Sequence, residues 1–320
     1  MSAGRNILND FLQGKPQDRP VLLPFINCLL ARFAGKPYED ILASPGDWTA
    51  ALLKSMDLLQ TDGIIAGYDD ATLAQAMHAA RVGDTLAAGF QAAAGTLADE
   101  VLSNHGVAVA VETVQRLTAL AGRTYACAAG MVGPGKLSGQ LPHSGDIEAG
   151  IRAIKKPYMA VAEAYLKTRP DALLLFEQLG GTGGMVPAAV ARLYATLRNQ
   201  AAYYNVPLAV YFEGYHPDHM DQLSGLRHDI TILGRNIHGD EPGMALLLQF
   251  TDKPAGIGIN LEEPEQAAGV VRAAYSACRD RRNLLLTGLS PPAVSIDLNS
   301  LRSVFRNLAA TEVTGGHASC

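Results

Sequence analysis

No run of lysine and arginine long enough to track a phosphate backbone occurs in this chain: its 26 basic residues are scattered among 31 acidic ones, for a net charge of −5. A protein that tracks a phosphate backbone concentrates positive charge, so nucleic acid is not the expected partner. No apolar run reaches the roughly 18–20 residues that a membrane span needs. The opening MSAGRNILNDFLQGKPQDRP also lacks the basic-then-apolar order of a secretory signal. The expectation is a soluble, cytoplasmic protein. Cysteine is scarce: Cys28, Cys127, Cys278 and Cys320 lie far apart, with no CxxC and no histidines at zinc-finger spacing. They are read as buried or incidental thiols, not as a disulfide framework. No Gly-x-Gly-x-x-Gly follows the first apolar run, so a dinucleotide fold has no support. The end, TEVTGGHASC, has almost nothing to pack. Residues 311–320 are expected to fray, leaving one domain over 1–310.

With 48% apolar residues in 320, the chain can bury a large core. Short aliphatic runs recur at VLLPF (21–25), GIIAG (63–67), YACAAG (125–130), ALLLF (172–176), LAVYF (208–212), ITIL (230–233), GIGI (256–259) and LLL (284–286). They do not alternate polar and apolar, which marks strands buried on both faces. Helical periodicity fills most gaps, and SPGDWTAALLKSMDLLQ is the clearest case. There Ser44 caps, Pro45 takes the first turn, Asp47 favours the N-terminus, and Trp48, Leu52, Met56 and Leu59 share a face. Further helices are expected near 146–166, 186–203, 262–278 and 298–308.

Eight strand–helix units with right-handed crossovers close most naturally into a (β/α)8 TIM barrel, with an open doubly wound sheet as the alternative. The longest gap, 68–124, carries an insertion after strand 2, around 82–107, that a barrel would place over its C-terminal mouth as a lid.

In a barrel, residues just past each strand line the catalytic face. Here they are Asn27; Tyr68, Asp69 and Asp70; Glu177 and Gln178; Glu213, His216, Asp218 and His219; Asn236, His238 and Asp240; and Asn260, Glu262 and Glu263. Each has a plainer reading. Asp69 or Asp70, the latter more readily, can cap the helix that starts near Ala71, and Glu262 and Glu263 suit a helix first turn. Glu177 and Glu213 are harder to dismiss, since a carboxylate at the end of a buried strand must find partners or shift its pKa. In FEQLGGTGG (176–184), four glycines lead to a helix N-terminus near Val186. Such a segment either offers backbone N–H groups to a carboxylate or phosphate, or lets the chain pass close.

DRPVLLPF, TDGIIAGYD, ACAAGMVGPGKL, DALLLFEQ, VPLAVYFEG and NLLLTGLSPPAVSIDLNSLRSVF, in that order, resemble segments of the uroporphyrinogen decarboxylase superfamily. That group includes the decarboxylase and the zinc-dependent methyltransferases that move methyl groups between corrinoids and thiols. The resemblance puts Asp69 on the catalytic aspartate. It puts Phe25 and Leu29 where arginines grip porphyrin carboxylates, with Arg32 the sole nearby substitute. It puts Tyr211, Glu213 and Leu289 where the methyltransferases hold zinc with His-x-Cys and Cys. It implies a divergent member with no thiolate zinc site and a substrate other than a porphyrinogen.

Two arrangements follow for Glu213, on the same rim as Asp69. Glu213 with His216 and His219 suits a divalent metal, zinc or iron(II). Alternatively Glu213 joins Asp69, Glu177 and Tyr211 in a metal-free floor for proton transfer. The expected enzyme acts on a small-molecule substrate in specialised metabolism. Asp69, Glu213 and Tyr211 are its catalytic residues, and Asn27, Tyr68, Glu177, Gln178, Asn236 and Asn260 its binding residues. DATLAQAM after Asp69 tilts the reading to methyl transfer. Decarboxylase or lyase chemistry and a non-catalytic binding descendant are the alternatives. The resemblance also brings a corrinoid into view, and a homodimer is left open.

Overall fold

The computed structural model describes residues 4–17, 19–82, 94–141, 147–242, 253–263, 283–289 and 295–309, with isolated positions between 266 and 273. All eight apolar runs form strands: β1 (Val21–Leu22), β2 (Gly63–Ala66), β3 (Ala126–Val132), β4 (Ala172–Gln178), β5 (Leu208–Glu213), β6 (Ile230–Leu233), β7 (Ala255–Ile259) and β8 (Leu284–Gly288). Every ladder is parallel, and the order β1-β8-β7-β6-β5-β4-β3-β2 makes a nearly closed (β/α)8 barrel. The strands are buried almost throughout, as their unbroken aliphatic character requires.

The helices follow the sequence signals. Pro45–Leu59 begins where Ser44 accepts the Asp47 N–H, and it buries Trp48, Leu52, Met56 and Leu59. Ile147–Lys167, Ala188–Tyr203 and Leu298–Ala309 lie within two residues of their expected bounds. Most of the helix expected over 262–278 lies outside the described residues, as do the tail 311–320 and residues 83–93 of the insertion. The described remainder of the insertion forms Ala94–Ser103, packed on Ile147–Lys167, and the start of His105–Ala121. No membrane-length apolar helix occurs among the described residues.

The helix Gly4–Leu12 was not foreseen. It buries Ile7, Leu8 and Phe11 and meets the residues that lead into the strands. The Arg5 N–H donates to Thr124 O, and Asn283 Nδ2 donates to Phe11 O. It therefore closes the N-terminal end of the barrel, opposite the mouth.

An aspartate stands immediately before β2, β4 and β6, and each makes the same pair of bonds. Asp62, Asp171 and Asp229 donate their backbone N–H to the carbonyls of Leu22, Cys127 and Leu208, and their carboxylates accept the N–H of those same residues. Arg19, Arg5 and Arg198 neutralise the three carboxylates. At β3–β4 and β5–β6 this extends a ladder. At β1–β2 it stands in place of one, because among the described residues the two strands share no ladder.

Asp62 is held by both Arg19 terminal nitrogens, at 2.6 and 2.7 Å, and its carboxylate is nearly buried. Asp62→Ala removes the carboxylate that Arg19 and the Leu22 N–H share, and is expected to lower unfolding stability by roughly 3 kcal/mol. Asp62→Asn, which keeps an acceptor, should lose less. Urea denaturation compares the two, and an unchanged midpoint for Asp62→Ala would show that the seam does not depend on this group.

Candidate functional site

At the C-terminal mouth, a cavity of about 230 Å³ is lined by residues from β1, β2, β4, β5 and β8 and from the segment after β3. Its floor is aromatic. Tyr68 stacks on Phe176 at 4.0 Å between ring centroids, Phe25 meets both at 5.0 and 5.2 Å, and Tyr211 meets Phe176 at 5.6 Å. Gly234 and Gly258 make room for the Tyr211 phenol, since a Cβ on either would come within 2.3 or 3.2 Å of its oxygen. That hydroxyl donates to Leu289 O at 2.8 Å, and burial holds its proton far above the ordinary phenol range.

Three charged groups rise from this floor. Lys136 Nζ lies 2.5 Å from Asp70 Oδ1 and 3.4 Å from the Tyr68 hydroxyl, which itself donates to Asp70. Burial, followed by the Asp70 charge, makes Tyr68 very hard to ionise. The Glu213 carbonyl accepts from Leu179 N, but its carboxylate accepts no hydrogen bond from a described residue. Burial raises its pKa, while Lys136 and Arg235 pull it back and Asp70 adds to the rise. A carboxylate raised in this way holds its proton more readily than an exposed glutamate, which suits it to proton transfer.

Several expected site residues do other work. Asp69 accepts from Ala71 N, Thr72 N and the Thr72 hydroxyl, so it caps the helix Thr72–Ala79 while Asp70 faces the cavity. The sequence assigned these roles the other way round. Either residue can serve as a cap, and only the turn after β2 selects one.

Glu177, expected to bind substrate, is fully engaged by protein. Its carboxylate accepts from Gly135 N, Lys136 N, the Tyr194 hydroxyl and Gln178 N at 2.6–3.2 Å. Glu177 borders the cavity, as expected, but strand alternation gives Phe176 the inward position on β4 and turns the Glu177 carboxylate to its donors in the helix layer. Burial still raises its pKa, against the four donors. It thereby caps the short helix Pro134–Gly139 and fixes where Lys136 emerges.

Asn27 donates to Tyr68 O and ties the β1 and β2 loops. Asn236 closes a turn with His238 and Asp240, and Asn260 holds Glu262 and Glu263. Neither lines the cavity among the described residues, whereas Gln178 does. His216 caps the turn Pro217–His219 through Nδ1, and its ring lies 5.1 Å from His219. No helix carries the two histidines on one face beside Glu213. Among the described residues, no group of three or more His, Cys, Asp or Glu is arranged to hold a metal, so the set Glu213, His216 and His219 is not assembled.

Tyr211, Glu213 and Leu289, on the zinc-ligand positions that the resemblance implies, do meet at one cavity. Only Glu213 offers a free ligand atom there, so the donor set does not fit zinc. Cys127 lies below in the core, its thiol pushed up to about 12 by burial.

Lys136 was missed. It is the basic residue of GPGKL, a segment read only for its glycine and proline. The Glu177 assignment carries a test: Glu177→Ala should unfold at lower temperature and lose roughly 1–3 kcal/mol, with Tyr194→Phe losing about 1 kcal/mol through one of the same bonds. Calorimetry that found Glu177→Ala as stable as the parent would contradict the capping role.

No protein-family model matches the chain, and no curated protein sequence matches it. Solved structures do. A methyltransferase from Methanosarcina mazei superposes with a TM-score of 0.71 over 97% of this chain and 99% of its own, at 14% identity. A B12-independent methionine synthase from Shewanella sp. W3-18-1 (TM-score 0.42, 16% identity, 62% of this chain and 64% of its own) and a dihydropteroate synthase from Stenotrophomonas maltophilia (TM-score 0.34, 12% identity, 93% and 94%) are more distant. The first likeness establishes that this chain has the methyltransferase's fold from end to end.

Proposed function

We propose that the chain is a divergent uroporphyrinogen decarboxylase-like barrel enzyme that transfers a methyl group between small organic molecules. The observation that carries this reading is Glu213: a partly buried carboxylate with no hydrogen-bond donor among the described residues, on an aromatic-floored cavity at the barrel mouth. A buried acid without a partner costs stability, and such groups collect where chemistry needs them. The full-length likeness to a methyltransferase and the order of the resembling segments support the reaction class. A cavity of about 230 Å³ suits a small substrate, not a macrocycle. A corrinoid therefore stays outside it, and no step here depends on one or on a metal.

In this reading an acceptor X–H loses its proton to Glu213, and the freed pair on X attacks the methyl carbon. The donor leaves with the electrons of its methyl bond, and Lys136 balances the charge that develops on it. Asp70 and Tyr68 hold the ammonium in place. The aromatic floor excludes water, which strengthens each of these interactions. Decarboxylase or lyase chemistry is the second reading, favoured by a raised carboxylate close enough to a lysine for the lysine to lower it.

Methyl donors and thiol, amine or hydroxyl acceptors can be screened in pairs by mass spectrometry. Glu213→Gln and Lys136→Met should each lower turnover by roughly 100-fold or more with the fold intact. Asp69→Asn should mainly cost stability. Because Glu213 works as a base and its pKa is raised, activity should be full at higher pH. It should fall on acidification through a value above the ordinary glutamate range, and Glu213→Gln should abolish that limb. Release of carbon dioxide without methyl transfer would select the second reading. Full activity in Glu213→Gln would end both.

A further inference from the structure

A second cavity, of about 520 Å³, opens beside the first, and Lys136 and Gln178 line both. Its remaining described lining is small or neutral and polar for the most part: Gly135, Gly139, Gly181, Ser138, Gln140 and Thr182. Lys136 is the one charged residue in that described lining, and no carboxylate joins it. Ser138 is 1% exposed, and its hydroxyl has no partner among the described residues. That oxygen is itself out of reach of solvent and lies against Gly150 of the helix Ile147–Lys167, so Ser138 forms cavity wall and is no hydrogen-bonding group for a ligand. The ammonium of Lys136 has three donors, two of which face Asp70 and the Tyr68 hydroxyl. No acceptor for the third is found among the described residues, and Lys136 borders both cavities.

We propose that the larger cavity binds a second small molecule through an oxyanion, phosphate or carboxylate, which reaches Lys136 at the neck while the body lies along Ser138, Thr182 and the glycines. The glycine-rich segment after β4 then has a use, because its lack of side chains keeps this lobe open. A Cβ at Gly181 meets no atom within 4 Å, so a larger residue there grows into space without pressing on the fold. Two joined lobes also suit a reaction with two substrates. The naming of the ligand as a second substrate rests on the transfer reading, and its binding does not.

Glycerol 3-phosphate and glutarate serve as phosphate and carboxylate probes, titrated calorimetrically against the intact chain without turnover. At least one is expected to bind with a Kd below about 1 mM. Gly181→Val and Lys136→Met should each weaken it by roughly tenfold or more. Gly180→Ala, at a position with open space but outside the cavity lining, should leave it unchanged. The tighter probe identifies the oxyanion. No saturable binding of either probe below about 10 mM would overturn the proposal, as would unchanged affinity in Gly181→Val with a native circular dichroism spectrum. Because turnover is not read, lost binding leaves the chemistry at Glu213 standing, and a failed methyl-transfer screen leaves this result intact.

Discussion

A parallel barrel must bring its first and second strands together although the chain between them runs through a whole helical layer, and in this protein a carboxylate completes that junction. β1 is only two residues long and ladders to β8 alone. Its outer side meets β2 through Asp62, which returns a bond to each polar group of Leu22 and is itself clamped by Arg19. Repetition of the device at Asp171 and Asp229 puts three buried or partly buried ion pairs on the N-terminal rim. Each satisfies a strand N–H that would otherwise end a ladder without a partner. With Gly4–Leu12 packed across the same end, that rim is devoted to closure, and the opposite rim is left for chemistry.

The two rims place their carboxylates differently. Below, each aspartate has an arginine and backbone donors. Above, the Glu177 carboxylate has four donors and that of Glu213 none among the described residues. Both end strands of the same sheet, and their difference comes from the two-residue period: on β5 the inward series is Tyr211 then Glu213, and on β4 it is Phe176, with Glu177 turned to the helices. Glu177 contributes indirectly, since the short helix that it caps carries Lys136 to the neck between the cavities.

Much of the fold was legible in the chain. Eight aliphatic runs without alternation, separated by helical periodicity, determined eight buried parallel strands and the barrel, because strands covered on both faces leave few other closures. Ser44, Pro45 and Asp47 determined one helix start by local bonding alone. Candidate mouth residues were also legible as a set, since position after a strand is a property of the sequence. Ile7, Leu8 and Phe11 have the helical spacing of the N-terminal helix, but nine residues are too few turns for that periodicity to stand out in the chain.

What the sequence left open was the direction of each side chain and its partner. Asp69 and Asp70 are adjacent and chemically identical, and the turn after β2 alone decides that one caps Thr72–Ala79 and the other meets Lys136. His216 and His219 have metal-like spacing, but a 3₁₀ turn between them, not an α-helix, sets their rings. Lys136 and Glu213, 77 positions apart by their numbering, become members of one cavity only when β3 and β5 flank β4. Burial pattern is local and survives in one dimension; which buried polar group is satisfied depends on neighbours from distant strands, and that information exists only in the folded chain.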